Sequence, residues 1–341
     1  MATMNDVARV AEVSIATVSH VINGTRFVSP ERVERVHAAM RELAYTPDAT
    51  ARSLRVGRTD TIGLVIPDNS NPFFAELARW IEDAGFEAGY TTILANSNER
   101  PYRERRYINT LLSKRVDGLI ITPTADSDNQ ALVASLRKAQ IPIVVMDRDV
   151  TLPMADVVLY DDAAGSGDAA RHLLELGHTK FACIAGPPGV PAERLEGFLT
   201  ALRDAGTTIH VNNVVAGDFH FASGREATAT LLATGKPFTA LFAANDLMAA
   251  GAIRTLAEHG LAVPEDVSVV GFDDAPIAEM ISPPLTTVRQ PLQDMADVAV
   301  SLLLARVSNN AGKRRTRRVL PTSLVVRDST APPRRRRSGR S

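Results

Sequence analysis

The sequence predicts an α/β protein with a small all-helical N-terminal unit followed by two α/β modules in tandem, each on a doubly wound parallel sheet. Three observations carry this. The opening fifty residues place their apolar side chains at helical spacing. From Thr61 onward, short apolar runs alternate with amphipathic segments, and a second such series begins near Asp162. The chain has 341 residues, 45% hydrophobic and 23% charged, which is enough apolar material for two or three domains.

In the helical unit, "MNDVARVA" carries Val7, Ala8 and Ala11 on one face. "SIATVSHVIN" follows, with Ser14 as the predicted cap and Val18, Val21 and Ile22 as the buried stripe. A third helix starts at "SPERVERVHAAMREL", with Ser29 as cap, Pro30 in the first position, and Val33, Val36 and Met40 facing inward. Three short helices make a core too small for an enzyme. "PDATARSL" predicts one or two further helical turns, which Gly57 ends. Its Ala, Thr and Ser residues describe a helix that needs a partner.

In the first module the strands are "IGLVIP", "YTTILAN", "DGLIIT" and "IPIVVMD", separated by "FFAELARWIEDAGFEAG", "ERRYINTLLSKR" and "ALVASLRKA". The second contains "KFACIAG", "ALFAAND" and "VSVVGFD" among helical segments such as "LMAAGAIRTLAEHG". Polar residues gather at the strand ends, in "PDNSNPFF", "MDRD", "AAND" and "GFDD". Ligands of open α/β sheets bind outside the carboxyl ends of the strands, so these loops predict one cleft between the modules. Asp162 and Asp246 are expected to cap helices.

Charge divides unevenly. Residues 1–58 hold 8 Lys and Arg against 6 Asp and Glu, residues 59–312 hold 19 against 32, and residues 313–341 hold 11 against 1. An acidic body stands between two basic ends. The last, "APPRRRRSGRS", lacks apolar anchors and predicts a disordered tail, and "GKRRTRRV" at 312–319 predicts a solvated loop before the last strand. Cys183, in "KFACIAG", excludes an internal disulfide and predicts a small core residue. No apolar run is long enough to span a bilayer and no secretory core follows the first Met, so a cytoplasmic protein without a membrane partner is expected. Phosphate loops, a GxSxG elbow and metal-ligand His spacing are absent, so binding without a cofactor is expected rather than catalysis.

The stretch from "MNDVARVAEVSIATVSHVIN" through "YTPDATARSL" resembles the headpiece and hinge of LacI/GalR-family transcriptional repressors. "TIGLVIPDNSNPFFAEL", "KRVDGLIITP", "AERLEGF", "VPEDVSVVGFDD", "PPLTTVRQP" and "LPTSLVVRDST" continue the resemblance, in order, to about residue 330. It implies a helix-turn-helix headpiece (1–46), a hinge helix (47–58) and a periplasmic-binding-protein-like core of two subdomains. These are 59–161 with 291–320, and 162–290 with 321–330, leaving 331–341 as the tail. Within the family, "TVSHVIN" and "RFV" are most similar to the ribose and purine repressors. The family often has Gly in the turn where this chain has Glu12, which predicts a modest backbone cost or an added negative charge near DNA.

The resemblance implies that "SIATVSHVIN" is the recognition helix, entering the major groove of a palindromic operator as half of a homodimer. Ser14, Ile15, Ala16, Thr17, Ser19, His20, Asn23 and Arg26 are then the DNA-facing candidates. Ile15 and Ala16 suit thymine methyls, His20 suits a guanine acceptor, and Thr17 and Ser19 suit phosphates. In the hinge, Leu54 matches the residue that wedges into the minor groove, with Arg52 and Arg55 approaching phosphates or the groove floor.

The core also resembles sugar-binding transport proteins of the ribose type. Asn71, Phe73, Phe74, Asp147, Arg148, Arg194, Phe219, Asn245, Asp273 and Gln290 fall on ligand contacts, while Thr122 stands where that pattern has Asn. Aromatic faces stack on a sugar ring, and Asp, Arg and Asn bond its hydroxyls. The three Phe residues would equally serve a core, and Asp273 a turn cap. A small sugar effector, ribose foremost, is expected to release the DNA. A purine effector within the family, or a transport protein outside it, are the alternatives; the headpiece argues against the latter.

Overall fold

A computed structural model of the chain describes residues 2–46, 57–124, 133–134, 136–137, 140–149, 152–188, 192–309, 312 and 314–334. Two compact units result, residues 1–59 and 60–341.

The first unit contains α1 (Met4–Val10), α2 (Ile15–Asn23) and α3 (Pro30–Glu42). Its core is Val7, Ala8, Ala11, Val18, Val36 and Ala39, with Val21, Ile22 and Met40 packed at the edge. Thr3 and Asp6 exchange side-chain and backbone hydrogen bonds in a capping box that starts α1. Ser14 caps α2 as expected, accepting from the Thr17 N–H at 3.1 Å, and Gly24 ends the helix at φ 61°. Ser29 does not cap α3 through its side chain. Pro30, which has no N–H to satisfy and a φ already suited to a helix, begins α3 instead.

In the second unit, β1 (Thr61–Ile66), β2 (Thr91–Asn96), β3 (Gly118–Ile121), β4 (Ile143–Met146), β5 (Asp156–Tyr160) and β11 (Arg317–Leu320) form one sheet. Its order is β2-β1-β3-β4-β5-β11, parallel throughout. The other sheet comprises β6 (Phe181–Ala185), β7 (Val214–Ala216), β8 (Ala240–Ala243), β9 (Ser268–Asp273), β10 (Thr286–Arg289) and β12 (Ser323–Val325), in the order β7-β6-β8-β9-β10-β12. Both sheets are parallel as expected except at this edge, where β12 runs antiparallel to β10. Only Pro321 and Thr322 separate β12 from β11, too few residues to carry the chain back to the opposite end of a sheet.

Helices α4 (Pro72–Glu87), α5 (Pro101–Ser113) and α10 (Leu292–Val307) cover the first sheet. The second is covered by α6 (Asp162–Glu175), α7 (Glu193–Asp204), α8 (Phe221–Ala233) and α9 (Asp246–Glu258). Alternate residues of β1 face different cores: Ile62, Leu64 and Ile66 meet Phe73, Leu77 and Leu303, whereas Val65 meets Ile108 and Leu111. Burial on both faces explains why these strands read as continuous apolar runs. Of the predicted helix "ALVASLRKA", the described residues 133, 134, 136 and 137 are helical. No described helix is long and apolar enough to cross a membrane.

Two expectations at the basic C-terminal end are corrected. The second half of "GKRRTRRV" is strand β11, paired with β5, and Arg317 bonds Asp149 at 2.8 Å. The edge of β5 needed a partner, and on an edge strand both consecutive arginines, Arg317 and Arg318, stay exposed. The tail begins anchored: His178 Nε2 lies 3.0 Å from the Ala331 carbonyl oxygen, and Arg334 bonds Asp266 at 2.8 Å. Residues 335–341 lie outside the described residues.

Candidate functional site

In the helical unit, α2 leaves Ser14, Ile15 and Ala16 exposed at its N-terminal end, and Ile15 keeps half of its surface open. An apolar side chain at that position contributes nothing to the headpiece core. Thr17 hydroxyl sits 2.8 Å from that of Ser14, so the pair occupy each other at the cap. His20 Nδ1 lies 2.8 Å from the Thr25 hydroxyl. Asn23 folds back, its amide donating to the Ser19 carbonyl at 2.6 Å, and Arg26 is exposed. Arg52, Leu54 and Arg55 lie outside the described residues.

Two features of this unit were not read from the sequence. Arg35 on α3 donates to the Ala11 carbonyl at 2.9 and 2.6 Å and to the Glu12 carbonyl at 2.8 Å, clamping the turn between α1 and α2. Phe27, in the loop after α2, is 92% exposed. The predicted backbone cost at Glu12 is real: its φ is 51°, a conformation that favours glycine.

In the second unit, both sheets reverse their strand order at the first strand, and the loops beyond the strand ends at those points meet in a cavity of about 450 Å³. Asn71, Phe73, Phe74, Asp147, Arg148, Arg194, Phe219, Asn245 and Asp273 line it, nine of the eleven ligand candidates. Phe73 and Phe74 also belong to the core.

The polar residues are held in detail. Asn71 starts α4, its Oδ1 accepting from the Phe73 N–H at 3.0 Å, which leaves the amide nitrogen to donate. Arg194 Nε donates to Asp162 at 2.9 Å, while Nη1 donates to the Ala244 carbonyl at 2.7 Å and to Asp273 at 3.0 Å. The guanidinium lies 4.0 Å above the Phe272 ring. Burial works against its charge, but Asp162, Asp273 and Asp147 outweigh that and raise its pKa further. Arg148 is committed to Glu99 at 2.6 Å and to the Pro123 carbonyl at 2.8 Å. Asn245 caps α9 and donates to the Phe219 carbonyl at 2.9 Å. Phe219, Asp147 and Asp273 all have positive φ (69°, 67° and 111°), so backbone strain collects at the cavity.

Burial pushes the Asp147 carboxyl up to about 6, against the pull of Arg148 and Arg194. It pushes Asp273 upward too, against the pull of Arg194. Asp273 is no turn cap, since it accepts from Arg194 and, at 2.8 Å, from Gln290.

Other assignments change. Gln290 is buried outside the cavity lining and reaches it only through Asp273; it lines a neighbouring cavity with Trp80 and Arg289. Thr122 is fully buried at the end of β3 and is not in the lining, because its N–H continues the ladder to Val65 and turns the side chain into the protein. Asp162 and Asp246 are not caps. Each sits one residue inside its helix, behind the capping Asp161 and Asn245, and does other work. Asp162 lines the cavity and pairs with Arg194; Asp246 is buried, accepting from the Ala275 N–H and the Thr287 hydroxyl.

Four buried polar atoms around these strand ends have no partner: Thr122 Oγ1, Tyr160 OH, Asp162 Oδ1 and Gln290 Oε1. An unsatisfied buried group costs about 1–3 kcal/mol. Glu193, Leu195 and Pro187, also in the lining, were not singled out by sequence, since nothing in their local pattern marks them. Cys183 is a core residue whose thiol burial pushes up to about 12. Among the described residues no group of three or more His, Cys, Asp or Glu could hold a metal.

Comparison with known proteins agrees with this geometry. Residues 3–48 match the model of bacterial regulatory proteins of the lacI family, and residues 170–330 match a periplasmic binding protein-like domain. The HTH-type transcriptional repressor PurR of Photobacterium profundum is 40% identical over 331 residues, 96% of this chain and 98% of that protein. The HTH-type transcriptional regulator DegA of Bacillus subtilis is 41% identical over 335 residues, 97% and 98%. The ribose operon repressor of Escherichia coli K12 is 41% identical over 310 residues, 90% and 94%. Among solved structures, the lac repressor dimer bound to operator superposes with a TM-score of 0.86 at 30% identity, over 97% of this chain and 99% of that one. A regulator from Enterococcus faecium with bound ribose gives 0.71 at 35% identity, over 80% and 99%. With an α2 that presents its N-terminal end, a two-sheet core around one cavity, and relatives matched along nearly their whole length, the chain belongs to the lacI family of bacterial DNA-binding transcriptional regulators.

Proposed function

We propose that this chain is a ribose-responsive repressor that binds a palindromic operator as a homodimer and is released from it when a small sugar occupies the cavity. The observation that carries the reading is the cavity itself. A volume of about 450 Å³ suits a small ligand. Phe73, Phe74 and Phe219 supply aromatic faces, while Asn71, Asp147 and Arg194 bring polar groups to the same space. The ribose bound to the Enterococcus faecium regulator and the name of the Escherichia coli relative support the sugar class.

On the DNA side, the lac repressor bound to its operator as a dimer supports a two-fold complex in the cytoplasm, each α2 reading one half-site. The hinge would place Leu54 in the minor groove. If sugar favours the closed cleft and operator favours the arrangement that pairs two hinges, each ligand weakens the other by the same factor.

A purine effector is the second reading, favoured by the PurR relative. Against it, the described lining around Glu193 offers Arg194 alone, already bound to two carboxylates. Calorimetry of the purified protein with ribose, other pentoses, hexoses and hypoxanthine decides between them. Heat with ribose is expected. No heat with ribose together with heat from hypoxanthine overturns the ribose reading and leaves the family intact.

A further inference from the structure

Carboxyl groups outnumber guanidiniums in the lining of the cavity. Four carboxyl groups line it, those of Asp147, Asp162, Glu193 and Asp273, against two guanidiniums. Arg148 is neutralised by Glu99 outside the lining, and Arg194 is shared between Asp162 and Asp273. Glu193, on the first turn of α7, pairs with neither guanidinium of the lining, although its charge also acts on Arg317 outside it; partial burial holds its carboxyl above the usual range, and Asp162, Asp149 and Glu196 add to the effect.

An unpartnered atom points the same way. Asp162 Oδ1, in the cavity lining, is a buried acceptor without a donor. A ligand hydroxyl can donate to it. A phosphate or carboxylate brings further acceptors and a like charge into low dielectric, where repulsion is strong.

We infer that the cavity selects uncharged, hydroxyl-bearing ligands against anionic ones, sugar phosphates included, and that Glu193 is the residue at its rim that sets this selection. The inference rests on the reading of the cavity as the effector site, but the sign of its potential can be measured without any effector. Ala216 lines the cavity from β7 and is exposed, so Ala216→Cys places a thiol there. The native Cys183 is fully buried and stays silent.

The thiolate attacks a methanethiosulfonate reagent at sulfur and expels methanesulfinate. The rate ratio between the trimethylammonium-ethyl and sulfonato-ethyl reagents, divided by that of 2-mercaptoethanol, reports the local potential, since the thiol pKa cancels. A ratio raised about tenfold or more is expected, shrinking with salt. Adding Glu193→Gln should lower it by a factor of about two or more. A ratio equal to that of the free thiol overturns the acidic cavity, and one that Glu193→Gln leaves unmoved overturns the role of Glu193.

Calorimetry supplies the second arm, pairing ribose with ribose 5-phosphate and inosine with inosine 5′-phosphate. The phosphorylated member should bind at least about tenfold more weakly, with the gap narrowed in Glu193→Gln. Equal or tighter binding of either phosphate overturns the selection while leaving the effector site standing. If neither ribose nor hypoxanthine produces heat, the effector reading fails, and the reagent ratio still decides the charge of the cavity.

Discussion

His220 Nε2 lies 3.2 Å from Asp68 Oδ2, and the contact joins the loop before α8 to the loop after β1 beside the cavity. Asp68 belongs to the part of the chain built on the first sheet, and His220 to the part built on the second. On its own loop His220 also faces Asp218, its ring 3.3 Å from that carboxylate. Under the proposed closure of the cleft on a ligand, a polar contact between the two halves biases that closure.

Burial works against charge on His220, but Asp218 and then Asp68 outweigh it, so its pKa is raised above the usual imidazole value. A raised value means that the contact is fully formed below the ordinary imidazole range and is lost as pH rises through the raised value. Asp147 and Asp273 ionise in an overlapping range, so the share due to His220 is the difference between wild type and His220→Asn. Calorimetric titration should show ligand bound a few-fold more tightly by wild type near pH ~6, with the two proteins converging near pH ~9. Identical pH profiles would refute the latch.

Arg194 reaches two carboxylates and a carbonyl from a nearly buried position. Removing it strands Asp162 and Asp273, and breaking a buried pair costs about 3–5 kcal/mol. Arg194→Gln should lower the urea midpoint markedly and abolish ligand heat, whereas Arg194→Lys, which keeps the charge but loses the fork, should fall between. A variant as stable as wild type contradicts the account of this ion cluster.

Gly197 lets α7 approach α6. A Cβ there runs into the Ala163 carbonyl and the Ser166 hydroxyl. Overpacking of this kind costs about 1–3 kcal/mol. Because Arg194 stands one turn earlier on α7 and its partner Asp162 begins α6, Gly197→Ala should weaken ligand binding along with stability. Loss of stability with unaltered affinity would separate the helix contact from the site.

Glu12 holds a positive φ in the turn of the headpiece. Glycine adopts that conformation without strain and removes an acid from a surface meant for DNA, although it loses more entropy on folding. Glu12→Gly should therefore stabilise the headpiece by at most about 1 kcal/mol and tighten operator binding. Hydrogen exchange of α1 and α2 in the intact protein reads the first effect, and a gel-shift titration the second. Weaker operator binding would mean that Glu12 makes a contact of its own.

Leu54 lies outside the described residues, and its proposed role in the minor groove rests on the resemblance read from the sequence. Leu54→Ala should reduce specific operator affinity about 100-fold or more, since a wedge offsets unstacking of a few kcal/mol, while effector heat stays unchanged. Operator affinity that matches wild type in a gel-shift titration sinks the assignment.

By itself the sequence determined the strands and helices, because burial on both faces of a parallel sheet and on one face of a helix leaves periods readable over a few residues. It also determined which strand-end loops carry polar residues, and so placed seven of the lining side chains, while Arg194 and Phe219 were reached only through the resemblance to sugar-binding proteins. What it left open depended on contacts far along the chain. Arg35 grips the turn at Ala11 from 24 residues away, and His220 meets Asp68 from 152 away. No local pattern encodes such a meeting. Asp162 and Asp246 read as caps because a cap and the residue after it share one composition; only the path of the backbone decides that Asp161 and Asn245 take that place and that Asp162 is freed for Arg194. Thr122 shows the same limit in reverse, since it ends a strand at the carboxyl edge yet the strand's pleat turns it away. The charge of the cavity is likewise a tertiary fact: Glu193 acquires meaning only where α7 brings it beside Asp162, Asp147 and Asp273.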